Sequence, residues 1–503
     1  MLKKWFNNCI KIFLKFRYRR IENIRSNPHA IQKQVLLALI KRAKNTEFGK
    51  EHSFEKITDR DSFAAQVPIC DYEAIKKDIY RMMDGESDIL WPGKIKWFAK
   101  SSGTTSDRSK YLPVTDDFYY KNNVASAWDT SSMVYHEDPD CMIYQKKSLI
   151  MGGSLELWKH NPEITIGDVS AILLHRMPQV GRPFYSPDFE TSVLKDWDEK
   201  IDKMTDICSK DDIVMFGGVP TWTIVLLNKI LTKTGAKNMH EVWPNARYYF
   251  HGGVGFDPYK EQFKAFFPDE NFKYYEVYNA TEGYFAIQDR YDEKGMLLLL
   301  DSDIYYEFIS MEELVNPDPK AISLADVEVD KHYAIVISTS AGLWRYMPGD
   351  TVQFTSLHPY RIMVSGRTKH FINVFGEEVM VGNTDKALSE TMRSLPAKVK
   401  DYTVAPIFMK RDGGGGHEWV IEFDELPDNL DAFEILLDSN LQKINSDYAA
   451  KRYKDIALNR LRLTVVPSGT FHRWLERKGK VGGQNKVPRL FNSRKYVEEL
   501  LLD

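Results

Sequence analysis

The sequence predicts an α/β protein: a large mixed α/β N-terminal domain followed by a smaller α+β C-terminal domain. Three observations carry that prediction. Beyond residue 90, short apolar runs of strand character alternate with helical patterns, as in a sheet covered by helices. Several of those runs end in glycine-containing segments, and the strand ends of such sheets are where ligands usually sit. The chain has 503 residues, which at roughly 150 per domain allows two to four domains with ample core.

Residues 1–20 stand apart. Lys3, Lys4, Lys11, Lys15, Arg17, Arg19 and Arg20 are interleaved with Trp5, Phe6, Ile10, Phe13, Leu14 and Phe16, with no acid among them. Cations interrupt every stretch that would serve as a secretory core, which argues for an amphipathic helix instead. Such a helix either packs on the body of the protein or makes weak contact with an anionic membrane surface. Residues 28–90 read as helical, with Ile31, Val35, Leu36, Leu39 and Ile40 at helical spacing, interrupted by Pro68 and followed by the turn Trp91-Pro92-Gly93.

Strand character then recurs. Residues 212–216 lead into Gly217-Gly218, residues 248–250 into His251-Gly252-Gly253, and residues 274–278 into Asn279-Ala280-Thr281-Glu282-Gly283. A boundary follows the strand-like residues 360–364, which divides the chain into residues 1–368 and 369–503. The second part contains a hairpin, residues 404–409 and 419–423 joined by a glycine-rich segment, and a later strand at residues 461–466.

Composition excludes several classes. The 68 basic and 71 acidic residues leave a net charge of −3, which gives no reason to expect nucleic acid as a partner. Cys9, Cys70, Cys141 and Cys208 never form a CxxC pair, so neither a disulfide framework nor a zinc site is expected, and a reducing cytoplasm fits best. The longest apolar stretches, at 35–40, 222–227 and 296–300, fall short of the roughly 18 residues needed to span a bilayer.

Walker, Rossmann, zinc-protease and α/β-hydrolase signatures do not occur in the sequence. Ser101-Ser102-Gly103-Thr104-Thr105, flanked by Lys100 and Lys110, is dense in hydroxyls around one glycine. Such a loop can wrap a polyphosphate, because glycine lets the backbone amides approach an anion closely; it also reads as a surface turn. Tyr278 to Gly283 places Glu282 beside Thr281 at a strand end, which suits magnesium and equally suits a helix-capping turn. In Trp344-Arg345-Tyr346-Met347-Pro348-Gly349-Asp350 the acid on a tight turn can accept from two ribose hydroxyls. Arg367-Thr368-Lys369-His370 lies at the boundary, and Gly482 to Arg489, with Lys486, forms a basic loop near the C-terminus.

Together and in this order the five motifs resemble the adenylate-forming superfamily. More finely, the chain is similar to the auxin-responsive acyl acid amido synthetases, the plant GH-three family and its bacterial relatives. Thr46 to Lys50, and Phe63 through Val67-Pro68 to Tyr72-Glu73, resemble that family's N-terminal pattern. The third motif departs from the usual Tyr-Arg-x-Gly-Asp: Met347-Pro348 follows Tyr346, and the arginine, Arg345, precedes it. This leaves the role of Arg345 open.

The resemblance implies an ATP-dependent, AMP-forming ligase that activates a small carboxylic acid and transfers it to an amino acid or other amine. It implies that Ser101, Ser102, Gly103, Thr104 and Thr105 hold the ATP phosphates and that Glu282, with Thr281 beside it, holds Mg2+. Asp350 would bind the ribose, with Arg367 as a second ribose or phosphate contact. Gly252, Gly253 and Tyr278 would frame the adenine. Lys486 would be the catalytic lysine of a C-terminal domain that swings on a hinge at Lys369-His370. An acyl-CoA ligase and a catalytically silent nucleotide-binding protein are the alternatives.

Overall fold

The computed structural model describes residues 2–101, 110–253, 256, 259–368, 371–377, 379–409, 414–455, 457–477 and 488–502. The chain opens with the helix α1 (Leu2–Ser26). Leu14, Tyr18, Ile21 and Ile24 are buried along one face of it. That face packs on the helix Ala125–Glu137, where the Ser132 hydroxyl donates to the Leu14 carbonyl at 2.8 Å. Three of its arginines are paired: Arg17 with Asp129 at 2.7 Å, Arg25 with Asp289 at 2.6 Å, and Arg20 with Asp301. This face of the segment therefore packs on the body of the protein.

The expected helical region follows as Pro28–Ala43, Glu47–Glu51, Arg60–Gln66 and Tyr72–Met83. Pro28 starts the first of these, where its missing N–H removes no helical bond. The Asp71 carboxylate accepts from the Ala74 amide to start the last. Leu36, Leu39 and Ile40 pack with Trp91, Tyr305 and Trp344 in a common cluster.

The centre of the molecule is an eleven-stranded mixed sheet. From one edge run Ile304–Ser310, His332–Thr339, Asp350–Leu357, Tyr360–Arg367, Met296–Leu298, Gly283–Ile287 and Lys273–Ala280, every neighbour antiparallel. From Lys273–Ala280 onward the neighbours are parallel: Tyr248–His251, Ile213–Gly218, Lys147–Ile150 and Tyr185–Ser186. Parallel neighbours need crossovers, and the helices Pro220–Thr234 and Lys260–Phe266 supply two of them. The sheet thus changes character at the strand that carries Tyr278. A smaller four-stranded sheet orders Lys110–Pro113, Trp97–Ser101, Asn161–Gly167 and Leu155–Trp158.

Beyond the central sheet the anticipated hairpin is present with longer arms, Lys398–Ile407 and Gly416–Glu425, and Arg462–Val466 adds to it in parallel. The helices Val381–Ser394 and Leu430–Ile444 join this small sheet around Trp419, Phe433, Leu437 and Leu441. The unit rests on the larger body: the Tyr259 hydroxyl donates to the Val374 carbonyl at 3.1 Å, and the Lys451 ammonium lies 4.2 Å from the Trp222 ring centre.

Candidate active site

Thr281 and Glu282 form a two-residue turn between the strands Lys273–Ala280 and Gly283–Ile287, with Ala280 paired to Gly283. The segment is a β-hairpin tip, not a helix cap. Gly283 has φ +153°, and a Cβ there would meet the Phe118 ring and the Ile304 side chain at 3.0 Å, so glycine alone fits without displacement. Asn122 locks the same segment. Its amide donates to the Tyr284 and Ser302 carbonyls, each at 3.1 Å, and its oxygen accepts from the Tyr284 amide at 2.8 Å. Asn122 is fully buried in a π-helical turn, Tyr119–Val124, a distortion often found at functional sites.

The tip points into a buried group of charges. Glu282 is buried, and that burial is the main reason its carboxyl rises to about 7; Lys110 opposes the shift and Asp350 adds to it. Asp350 opens its strand opposite Arg367, the last residue of the neighbouring one. Its carboxylate receives the Tyr278 hydroxyl at 2.7 Å and the Arg367 guanidinium at 2.7 Å. Burial first, and Asp350 second, hold the Tyr278 hydroxyl well above its usual range, so it stays a donor. The fold therefore brings Tyr278, Thr281, Glu282, Asp350 and Arg367 together, with Lys110 facing them.

On the parallel side, Gly252 and Gly253 follow the strand Tyr248–His251. A Cβ on Gly252 would lie 2.4 Å from the Val277 carbonyl oxygen, and Gly253 has φ +80°. Gly252 therefore brings bare backbone against the strand that carries Tyr278, whereas a Cβ on Gly253 would lie 3.3 Å from the Val219 side chain. His251 is buried and stacks on Phe256 with ring centres 4.0 Å apart. Burial, then Lys260, pushes its imidazole down to about 3, so it is neutral.

Ser101 and Lys110 are cross-strand partners at the mouth of an antiparallel hairpin. Ser102, Gly103, Thr104 and Thr105 lie outside the described residues, as do Lys369, His370 and Lys486. Arg345 is a structural group. Its guanidinium donates to both Glu307 oxygens at 2.8 and 3.1 Å and to the Val67 carbonyl at 2.8 Å, all buried. It ties the segment after Arg60–Gln66 to the outer strand of the sheet, and φ +42° aims it there. Asn122 is the residue of this site that sequence reasoning missed; an asparagine in a helical run gives no signal. A cavity of about 330 Å³ between Lys147, Leu174, Arg182, Tyr185 and Phe189 lies at the parallel edge of the sheet; no group of the nucleotide constellation lines it.

The architecture, a large mixed α/β body with a smaller α+β unit, is shared with solved adenylate-forming enzymes. Residues 17–199 and 163–272 match the GH3 family N-terminal domain, residues 297–367 the GH3 family central domain, and residues 382–495 the GH3 family C-terminal domain. The chain belongs to the GH3 family. Among its relatives, indole-3-acetic acid-amido synthetase GH3.4 of Arabidopsis thaliana is 24% identical, over 93% of this chain and 90% of its own. Indole-3-acetic acid-amido synthetase GH3.8 of Oryza sativa subsp. indica is 23% identical, over 96% and 92%. The solved GH3.15 acyl acid amido synthetase shares the fold at a TM-score of 0.59 with 16% identity, covering 96% of this chain and 95% of that one. A 2-hydroxyisobutyryl-CoA ligase in complex with 2-HIB-AMP and CoA does so at 0.58 with 12% identity, covering 95% and 94%.

Proposed function

We propose that this chain is an AMP-forming acyl acid amido synthetase that joins a small carboxylic acid to an amino acid. The observation that carries the reading is the group of buried Tyr278, Glu282 and Asp350 with half-buried Arg367 at the change of sheet direction, in a chain with all three GH3 domains. In the first half-reaction a carboxylate oxygen attacks the α-phosphorus of ATP, and pyrophosphate leaves. In the second the amine nitrogen attacks the acyl carbon, AMP leaves, and the amine gives up a proton.

Each residue has a task in this scheme. Gly252, Gly253 and Tyr278 would frame the adenine. Asp350 accepts from the ribose hydroxyls, held in place by Tyr278 and Arg367. Ser101 to Thr105, with Lys110, surround the phosphates. Glu282 fits a magnesium site: its burial disfavours a lone negative charge, and magnesium typically takes one or two carboxylates with phosphate oxygens and water. The ion, when bound, offsets the repulsion between the acid and the polyphosphate. Lys486 completes the site from a domain of residues 369–503 that turns at Lys369-His370. Closing the site excludes water, strengthening these charge interactions and protecting the adenylate from hydrolysis. The free cysteines at 9, 70, 141 and 208 suit a reducing cytoplasm.

The test is a screen of carboxylic acids against amino acids, with AMP and pyrophosphate release as the readout. Release that needs an acid and an amine together supports the reading. Nucleotide binding with no acid-dependent release across the screen contradicts it.

A further inference from the structure

The inward face of α1 is settled by packing; its outward face is not covered. Ile12 is 62% exposed and Phe16 60%, while Phe13 at the edge of this face sets its ring against Trp128 with centres 5.3 Å apart. Ile12 and Phe16, four residues apart, share one exposed apolar stripe, and Cys9, also exposed, continues it by one turn. The basic residues of α1 are sorted by face. Arg17, Arg20 and Arg25 turn inward to Asp129, Asp301 and Asp289. Lys15 and Arg19 are exposed beside the stripe and pair with no carboxylate among the described residues; the Arg19 guanidinium sits 5.1 Å over the Phe16 ring. The first acid in the sequence is Glu22.

We propose that this outward face docks on an anionic phospholipid surface. Apolar side chains flanked by unpaired cations match the interface of a negatively charged leaflet, where rings and aliphatic chains enter the acyl boundary and lysine and arginine meet phosphate. A second copy of this chain is the poorer match, because a symmetric contact would set Lys15 and Arg19 against their own counterparts. No helix among the described residues is long and apolar enough to cross a membrane, so α1 lies on the surface. Its inward contacts hold it folded before it binds, so binding pays no ordering entropy.

The experiment is co-sedimentation of the full chain with vesicles of phosphatidylcholine and phosphatidylglycerol, against vesicles of phosphatidylcholine alone. Binding to the mixed vesicles that falls with added salt is expected. Ile12→Ser with Phe16→Ser should abolish it. Lys15→Glu with Arg19→Glu should weaken it at least twentyfold, from about fivefold per cation lost near the surface. Both variants should keep the thermal midpoint and, without vesicles, the nucleotide chemistry. Absence of binding to mixed vesicles overturns the proposal, as does equal binding by the charge-reversed variant. A concentration-dependent dimer that Phe16→Ser dissolves, without vesicle binding, would assign the face to a second copy and overturn it equally.

Discussion

In the parallel half of the central sheet, the strand Tyr248–His251 runs into Gly252 and Gly253, the first of which sets its backbone against the next strand. In the antiparallel half, the hairpin tip and the paired strand ends carry Glu282, Asp350 and Arg367. The strand Lys273–Ala280 belongs to both, and Tyr278 on it touches the charged side through Asp350. A nucleotide bound as proposed asks for this division. Its base is flat and neutral and suits close backbone, whereas its ribose and phosphates need acceptors, cations and a metal ligand. Charge on the adenine side would be buried without a partner, and bare backbone on the phosphate side would leave the anions uncompensated.

The comparison predicts that the charged half dominates catalysis. Glu282→Gln keeps the shape of the turn but loses the negative charge that, in the proposed scheme, would hold magnesium. Acid-dependent exchange of pyrophosphate into ATP should fall about a hundredfold or more, with circular dichroism unchanged. Near-normal exchange would break the assignment.

The same carboxyl sets a pH dependence. Its folded value is raised from 4.5 to about 7, so between these values the folded state keeps a proton that the unfolded state has released. Stability without ligand should therefore decline as pH rises through that window. Activity should move the other way, kcat/KM for ATP rising through an ionisation near pH 7 as the carboxylate forms. Glu282→Gln should remove both limbs.

Smaller effects are expected from the supports. Asn122→Ala leaves a buried amide and two buried carbonyls short of a partner, at about 1–3 kcal/mol each before relaxation, and loosens the hairpin tip. The magnesium concentration for half-maximal exchange should rise several-fold; an unchanged value would separate Asn122 from the metal site. On the parallel half, Gly252→Ala forces the backbone away from Val277. It should raise KM for ATP while leaving kcat closer to its original value, since the base is bound but not transformed. Arg345→Met provides the control: it leaves Glu307 buried without its cation and should lower the thermal midpoint, with KM for ATP unchanged at a temperature where the fold survives.

The strands that end in glycine, the Glu282 segment and Asp350 were legible because their signals are local: an apolar run, a turn, an acid. What escaped depends on distant partners. Arg345 meets Glu307 through a positive φ that no spacing encodes. Asn122 is defined by the backbone of Tyr284 and Ser302, far along the chain. The cations of α1 looked alike in sequence, and only Asp129, Asp289 and Asp301 separate those that fasten the helix from those that face outward. The hairpin tip was ambiguous for a related reason: whether a strand or a helix follows Gly283 is decided by pairing back onto the Lys273–Ala280 strand.

The central claim is that the activated acid is delivered to an amine, and product identity tests it most directly. Paired reactions would contain an acid active in the screen, ATP and magnesium, with either an amino acid or coenzyme A, and be read by mass spectrometry. The account predicts AMP with an acyl-amino acid in the first and no product in the second. An acyl-CoA without any amide would contradict it.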